Sequence, residues 1–371
     1  MTKEHINSIL FFMLLSLGGL AFMFINPYIN HHKFYIDSYT LMNSTPSLDA
    51  GSFESSNLLT LPITNFIKTM GVDVSRYAFS IDAPFHFTNI VYYFLFMLPI
   101  GLMWKFKPVK INLVTLIPLS VLFILFASFY AVPTKEIIPF YISMICVYLL
   151  IGRKHKTFLF IIILMFTIYG FVIGRYYFVL FMGIFTLHLL AKGNRKVIII
   201  GYCSLLTIAL FLFDTPAFQL LYKARATSII SITDSWIHLW FNDSSFIGFI
   251  SNRITIFIRL LFPFNLLTSF KYLPFVIFQL IVTLLMFKGL KLRKTNFEVY
   301  ICALVVWAFT IAQGIFEPDY GSYFRHKLTC FPFIYLLIYS YSKKDINISY
   351  SNKKIFTNYK ENKNNSKFDP I

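Results

Sequence analysis

Five acidic or basic side chains lie in a short stretch near the C-terminus, residues 316–327: Glu317, Asp319, Arg325, His326 and Lys327. The three basic residues directly precede the last apolar run, so we expect them at a helix N-terminus, where free N–H groups and the helix dipole favour anions. An arginine fork matches phosphate oxygens. These residue types predict a pyrophosphate or anionic-sugar site. The alternative is that the cations snorkel at a membrane interface and are balanced by the two acids.

Two shorter turns carry further candidates. Arg175 lies in a tight Gly-Arg-Tyr-Tyr turn, residues 174–177, between two apolar runs. Lys135 and Glu136 end a Val-Pro-Thr-Lys-Glu turn between two other runs. Arg175 either belongs to a substrate site or anchors the turn at the membrane interface. Lys135 and Glu136 either belong to a substrate site or form part of a short exposed turn.

Arg253 and Arg259 are two cations within or beside an otherwise apolar stretch. A charge among apolar neighbours in a membrane needs a partner or a water-filled cavity. Counting residues 254–267 as a membrane span would place the lysines and arginine of 288–294 outside the cell. We therefore predict a re-entrant or interfacial helix near 254–267.

Apolar runs must position all of these side chains. The chain is 57% hydrophobic and only 13% charged, whereas soluble domains carry about 25% charged residues. Its runs approach the ~20 residues that cross a hydrocarbon core, and their continuity favours helices over the alternating strands of a barrel. The sequence predicts an all-α polytopic membrane protein with about ten transmembrane helices, at 8–25, 86–104, 111–130, 137–151, 157–173, 176–191, 197–213, 272–287, 297–316 and 328–342.

The basic residues predict the orientation of these helices. With the N-terminus in the cytoplasm, the inside segments hold 21 of the 33 Lys and Arg residues and nearly all of the net charge of +17. Cytoplasmic loops of membrane proteins carry such an excess. Both termini are therefore predicted to be cytoplasmic. The positive charge follows from topology and requires no nucleic-acid partner.

The loops predict how the chain is divided. Residues 1–342 form an integral membrane domain with two long outside loops, 26–85 and 214–271, while the inside loops are short. This places the working surface outside the cytoplasm. The Lys-, Asn- and Ser-rich residues 343–371 predict a disordered, basic cytoplasmic tail.

Several chemistries are disfavoured by what the sequence lacks. The four cysteines are scattered and form no CxxC pair or Cys/His cluster, which argues against a metal site or a disulfide framework: Cys146, Cys203, Cys302 and Cys330. No P-loop, dinucleotide fingerprint, serine-hydrolase elbow or zinc-protease motif is present. An ATP-driven pump and the common soluble catalytic folds are therefore disfavoured.

Four of these segments resemble one divergent family. The Val-Pro-Thr-Lys-Glu turn resembles the P-S-K-E/D turn of polytopic proteins encoded in bacterial surface-polysaccharide clusters, with Thr134 in place of the usual Ser. Residues 174–177, 253–264 and 321–333 resemble other recurrent segments of those proteins. Over roughly residues 75–342 the chain is most similar to Wzy-type O-antigen or capsular polysaccharide polymerases.

The resemblance implies a glycosyltransferase of the bacterial inner membrane with a GT-C-like helical architecture. Such enzymes join undecaprenyl-pyrophosphate-linked oligosaccharide units at the periplasmic face. They need no nucleotide sugar, metal or other cofactor, and a chain-length regulator is an expected partner alongside the lipid bilayer.

The resemblance also suggests roles for the candidate residues. The lipid pyrophosphate is already a good leaving group, so a catalyst mainly holds that anion and positions the acceptor hydroxyl. The candidates for binding pyrophosphate are Arg175, Arg253, Arg259, Arg325, Lys135 and Lys327. The candidate bases for the acceptor proton are His326, Glu136 and Glu317.

Three alternatives stay open at this point. A lipid-linked oligosaccharide flippase usually has about twelve spans in two similar halves, and no such repeat is visible here. Another polyprenyl-dependent glycosyltransferase or an acyltransferase would use the same kind of substrate. A chain-length or assembly factor typically has two spans around a large coiled coil, which this chain lacks.

Overall fold

The structure is a computed structural model that describes residues 3–29, 61–69, 87–216 and 236–342. The predicted tail, 343–371, lies outside the described residues. So do large parts of the two predicted long loops, 26–85 and 214–271. Within the first of these loops the structure describes one short helix.

Helices make up almost all of the described chain. The first seven are α1 Lys3–Ile29, α2 Leu61–Thr69, α3 Phe87–Phe106, α4 Leu113–Phe129, α5 Ile137–Ile151, α6 His155–Val172 and α7 Tyr176–Ala191. The next five are α8 Arg195–Leu212, α9 Phe246–Leu261, α10 Leu273–Leu290, α11 Phe297–Phe316 and α12 Tyr320–Lys327. Residues 331–342 form α13 after a 3₁₀ turn at Leu328–Cys330. The described ranges contain no β-strand, only an isolated antiparallel bridge between Trp236 and Asp319.

Six of these helices are long and apolar enough to cross a membrane: α1, α3, α6, α8, α10 and α11. Three shorter helices, α4, α5 and α7, are apolar as well. Every predicted span coincides with a helix. The chain thus has the all-helical, apolar character of a helical membrane protein, as the hydropathy of the sequence predicts.

The helix predicted near 254–267 begins earlier and ends earlier than expected. It spans Phe246–Leu261, and a 3₁₀ turn follows at Phe264–Thr268. The whole helix is amphipathic: Ile247, Ile254 and Ile258 are exposed along one side, while Asn252 and Arg253 are buried on the other. Its first half was not predicted because these two buried polar residues interrupt the apolar sequence there. A hydropathy scan responds only to the continuous apolar stretch that comes later in this helix.

Helix α11 is the centre of the described bundle. It packs against α7, α9, α10 and α12, and most of its side chains are buried. Helix α8 is the opposite case, since it packs beside α7 and buries none of its residues. An apolar helix without a buried face has lipid as its natural surroundings.

The basic connections gather at one end of the bundle. The Lys107 amine lies 5.5 Å from the centre of the Tyr339 ring, near the end of α13. The Arg293 guanidinium packs against Gly193, so the α7–α8 and α10–α11 connections meet. The His155 and Phe297 rings, at the starts of α6 and α11, are 5.3 Å apart. The α4–α5, α6–α7 and α11–α12 connections therefore lie at the other end.

Candidate functional site

Four charged or titratable side chains meet at the end opposite the basic connections. Glu136 comes from the α4–α5 connection, Arg175 from the α6–α7 turn, Glu317 from the end of α11 and His326 from α12. All four are buried, with between 2% and 8% of each residue exposed. Three separate segments singled out in the sequence thus form one network, which we call the Glu136–His326 cluster.

Glu136 is the hub of this cluster. Its Oε1 lies 3.3 Å from Arg175 Nη1 and 3.3 Å from His326 Nε2. Its Oε2 accepts a 2.6 Å hydrogen bond from the Thr134 hydroxyl. Both carboxylate oxygens are therefore engaged, and each partner comes from a different segment or turn.

His326 has an oxygen partner on each ring nitrogen. Besides the Glu136 contact at Nε2, its Nδ1 lies 3.3 Å from Gln313 Oε1 and 3.5 Å from Glu317 Oε2. Its ring stacks on the Tyr177 ring, with centroids 5.6 Å apart and planes 19° apart. Tyr177 in turn accepts a 3.2 Å hydrogen bond from Arg175 Nη1. The imidazole is held in one orientation from three sides.

The α4–α5 connection presents Glu136 through its local conformation. Glu136 occupies the N-cap position of α5 but makes no side-chain capping bond, so its carboxylate is free to reach the neighbouring segments. A negative charge at this position is also favoured by the helix dipole. The Pro-Thr-Lys-Glu sequence thereby directs one carboxylate sideways into the bundle.

A tight turn presents Arg175. Gly174 adopts φ +67°, a left-handed conformation that costs glycine little and other residues more. It lets α6 reverse directly into α7, whose first helical residue is Tyr176. Arg175 therefore lies at the apex of the reversal, where its side chain can reach Glu136.

Proline and a capping aspartate separate α11 from α12. Glu317 has an extended backbone and precedes Pro318, and the residue before a proline disfavours the helical conformation. Asp319 then caps α12, since its carboxylate accepts a 2.7 Å hydrogen bond from the Ser322 N–H. This break turns the chain so that Glu317 and His326 face each other.

The charges around Glu136 keep it ionised. Burial alone would raise the pKa of its carboxyl, but Arg175, the hydrogen bond with His326 and the charge of Arg325 outweigh burial and hold the pKa well below its usual range. Glu136 is thus a weak base at neutral pH. Its chemistry is that of a fixed negative charge.

Burial lowers the pKa of the His326 imidazole below its ordinary value, and Arg325 acts in the same direction. Glu136 and Glu317 oppose that effect without reversing it. A neutral imidazole has one N–H and one lone pair. If Nε2–H donates to Glu136, Nδ1 carries the lone pair. A proton taken up at Nδ1 would be donated in a hydrogen bond to the oxygens of Gln313 and Glu317, which lie 3.3 and 3.5 Å away, so the cluster can perform general-base chemistry.

Arg325 and Lys135 flank the cluster. Arg325 is partly exposed, and Tyr130 donates a 3.3 Å hydrogen bond to its carbonyl. Lys135 is buried directly before Glu136. The positive charge of Arg325 acts on Glu136, which is already paired with Arg175.

Three other candidates lie elsewhere. Lys327 points away from its neighbour His326 and bonds to α10. Arg253 pairs with Asp243 at 3.2 Å, and Arg259 lies 4.3 Å from the centre of the Trp240 ring. The candidate cations therefore belong to three groups rather than one.

The Arg253 and Arg259 group is connected to the main cluster by residues 236–243. This segment contacts both arginines and also bonds to the residue after Glu317. Ile237 donates a 2.8 Å backbone hydrogen bond to Pro318, directly after Glu317. The Arg259 Nη1 donates to the carbonyl of His238 at 3.2 Å. A charged strip thus extends from the cluster along residues 236–243.

Three residues that contact the cluster, Thr134, Gln313 and Tyr177, were not among the candidates. Thr134 could have been predicted from the sequence, since its hydroxyl is two residues from Glu136. Gln313 carried a weaker signal, as an amide in an apolar run four residues before Glu317. Tyr177 carried no signal that distinguishes it from the many tyrosines. Among the described residues, no group of three or more His, Cys, Asp or Glu side chains is arranged to hold a metal ion.

Comparison with protein families, curated proteins and solved structures finds no match to this chain.

Proposed function

We propose that this protein is a membrane glycosyltransferase that polymerises undecaprenyl-pyrophosphate-linked oligosaccharide units into O-antigen or capsular polysaccharide. The single observation that carries the proposal is the buried Glu136–His326 cluster, which three loop segments build at the end opposite the basic connections. The resemblance of these same segments to Wzy-type polymerases supplies the substrate class.

The proposed topology has ten spans with both termini in the cytoplasm of a bacterium, in a GT-C-like arrangement. The gathering of basic connections at one end supports it, because positive loops face the cytoplasm. The cluster then lies at the outer face of the inner membrane, where lipid-linked units are polymerised. A chain-length regulator is the proposed protein partner.

In the proposed reaction the acceptor sugar hydroxyl attacks the anomeric carbon of the donor. The new bond joins acceptor oxygen to that carbon, and the bond between the carbon and the pyrophosphate oxygen breaks. The electron pair leaves with the lipid pyrophosphate, and a base takes the acceptor proton. Positioning and stabilisation of the leaving anion supply most of the catalysis.

We assign the base role to His326 and not to Glu136 or Glu317. The low pKa of Glu136 makes it a poor proton acceptor, whereas the lowered pKa of His326 keeps the imidazole neutral near pH 7. Glu136 orients the ring through Nε2 and stabilises the imidazolium once the proton has moved. Glu317 Oε2 lies 3.5 Å from Nδ1 and would accept a hydrogen bond from the protonated ring.

We assign the leaving pyrophosphate first to Arg325, because this side chain is partly exposed and next to His326. Arg175 adds a second positive charge, although its Nη1 is already paired with Glu136. Lys135 directly precedes Glu136 in the chain and is the next candidate. Arg253 and Arg259 form an outer strip that the sugar or lipid portion of the substrate would pass.

A chromosomal deletion tests the proposal. Loss of a polymerase leaves lipopolysaccharide or capsule with a single repeat unit, and expression of the wild-type gene restores the ladder of long chains. A flippase would instead leave no exported unit, and another transferase would leave an incomplete unit. A deletion strain that keeps its normal ladder contradicts the proposal.

A further inference from the structure

Lys327 is a buried amine that the proposed reaction does not use. Only 2% of the residue is exposed. Its Nζ donates hydrogen bonds of 2.7 Å to Gln279 Oε1 on α10 and 2.9 Å to the Tyr323 hydroxyl one turn earlier on α12. These contacts tie the short helix α12 to the long helix α10.

Neutral polar groups continue this contact on both sides. Gln279 donates from Nε2 to the Thr283 hydroxyl at 3.1 Å, and Thr283 donates to the carbonyl of Leu261 at 3.0 Å, at the end of α9. Tyr323 lies 3.4 Å from the Thr310 hydroxyl on α11. One buried chain of hydrogen bonds therefore joins α12 to α9, α10 and α11.

No carboxylate in the described part of the chain pairs with Lys327. The groups that face it are Gln279 and Thr283 from α10, Thr310 from α11, Tyr323 from α12, and Cys330 from the turn that follows. Burial among these neutral groups lowers the pKa of the Lys327 amine to about 7. Leucine or methionine would fill this place without that electrostatic cost.

The geometry of α12 links this amine to the cluster. Neighbouring residues of an α-helix point about 100° apart around its axis. Lys327 faces α10, so His326 faces a different side of α12, where it meets Glu136. A helix of eight residues has little intrinsic stability, and its rotation is therefore determined by such side-chain contacts.

We propose that Lys327 is a positioning residue: its hydrogen bonds to Gln279 and Tyr323 fix the rotation of α12 and so hold His326 against Glu136. The claim that Lys327 positions the base rests on the proposed function. The claim that Lys327 fixes the orientation of α12 does not depend on that function.

Lys327→Met tests the inference because methionine keeps the length of the side chain and removes its hydrogen bonds. We expect normal amounts of protein and about a ten- to hundredfold loss of polymer, since small misplacements of catalytic groups cost that much. The exposed Lys291→Met is the matched control and should leave the polymer unchanged.

Thermal unfolding in detergent separates positioning from loss of fold. Between about pH 7 and 10.5 the Lys327 amine is protonated in the unfolded chain and neutral in the folded chain. The cost of burying this amine therefore lowers the free energy of unfolding fully below pH 7, and less as the pH rises. Lys327→Met should therefore raise the unfolding temperature more at about pH 6 than at about pH 9. A variant that is both less stable and less active overturns the positioning role.

Gln279→Glu gives a second test through pH. A carboxylate beside Lys327 favours its charged form and raises its pKa. In the wild type, the free-energy cost of burying the charged amine decreases above about pH 7. In Gln279→Glu this decrease should begin only at a higher pH. A pH dependence of unfolding identical to that of the wild type would contradict the direct Lys327–Gln279 contact.

A labelling experiment tests the orientation of α12 without any assay of polymer. In a Cys203→Ser background the other native cysteines are buried, and His326→Cys adds one probe that the structure keeps mostly covered. Adding Lys327→Met should increase the rate of maleimide labelling in detergent several-fold. An unchanged rate overturns the inference.

The outcomes of these tests distinguish the two proposals. If His326→Gln abolishes polymer while Lys327→Met does not, the positioning role fails and the proposed function stands. If polymer survives His326→Gln as well, the proposed reaction fails, and the labelling rate alone then decides whether Lys327 orients α12.

Discussion

At the scale of single residues, the proposed reaction gives Glu136 and His326 different roles. The same buried contacts that keep Glu136 ionised make it an anchor, and burial keeps His326 neutral. Two titratable groups whose pKa values are pushed in useful directions are a common sign of a catalytic pair.

His326→Gln should abolish polymerisation and leave the protein folded. Glutamine has a similar reach but cannot accept the proton, and loss of a general base costs about 10²–10⁴ in rate. His188→Gln is the matched control, since His188 contacts Tyr202 on α8 and lies in the last turn of α7, at the opposite end of that helix from Arg175. Polymer ladders from the two strains, at equal protein levels, provide the measurement; equal ladders would exclude His326 as the base.

The pH dependence of polymerisation in isolated membranes should follow the neutral form of His326. Because its pKa is lowered, the base form persists through neutral pH, and the rate should fall only as the medium becomes mildly acidic. A rate that falls on the alkaline side instead would indicate that a protonated group is required.

Glu136→Gln should destabilise the protein. It leaves the buried Arg175 without a counter-charge, and removing one partner of a buried ion pair costs about 3–5 kcal/mol. The double variant Glu136→Gln/Arg175→Met should recover part of this loss, because both charges are then absent. Unfolding temperatures in detergent check both; a double variant less stable than the sum of the singles would contradict a direct pair.

At the scale of elements, the cluster depends on how closely α6 and α7 approach. A Cβ on Gly170 would lie 2.8 Å from Val179 Cγ2 and 3.2 Å from the carbonyl of Arg175. No larger residue fits there without separating the two helices. The turn that carries Arg175 is thus set by a glycine one turn before it.

Gly170→Ala should therefore lower both stability and polymer. Overpacking a buried contact costs about 1–3 kcal/mol, and here the displacement would be passed to Arg175. Gly183→Ala on α7 is the control, because a Cβ there meets nothing within 4 Å. If the two variants unfold at the same temperature, the close approach of α6 and α7 is not required.

At the scale of the whole molecule, the basic connections and the buried charged cluster lie apart. The basic connections occupy one end of the bundle and the Glu136–His326 cluster the other. Because basic connections favour the cytoplasmic side of a membrane, the first end carries the charge from which the proposed orientation follows. The second collects charges that are costly to bury and therefore have a function or a structural partner.

Cysteine labelling in intact cells tests the proposed orientation. Ser244 and Lys154 are both exposed. Ser244 follows the segment that bonds to Pro318 beside the cluster, whereas Lys154 precedes His155 at the end with the basic connections. In a Cys203→Ser background, Ser244→Cys should react with a membrane-impermeant maleimide in a strain whose outer membrane is permeabilised. Lys154→Cys should react only after the inner membrane is also opened. The reverse pattern would place the cluster in the cytoplasm.

The sequence by itself determined the helical, membrane-protein character of this chain and the positions of its apolar helices. Lipid acts on each residue separately, so length and hydropathy suffice to locate a span. The same reading failed for the first half of α9, whose amphipathic pattern is decided by which side packs on α11.

Only the tertiary structure decided which charges meet. The sequence singled out Glu136, Arg175 and His326 in separate segments, but their pairing depends on how the helices that carry them pack. It also decided that Lys327 faces α10 although its neighbour His326 faces Glu136. Ion pairs between distant segments depend on distances of a few ångströms, and no local pattern in a chain encodes those distances.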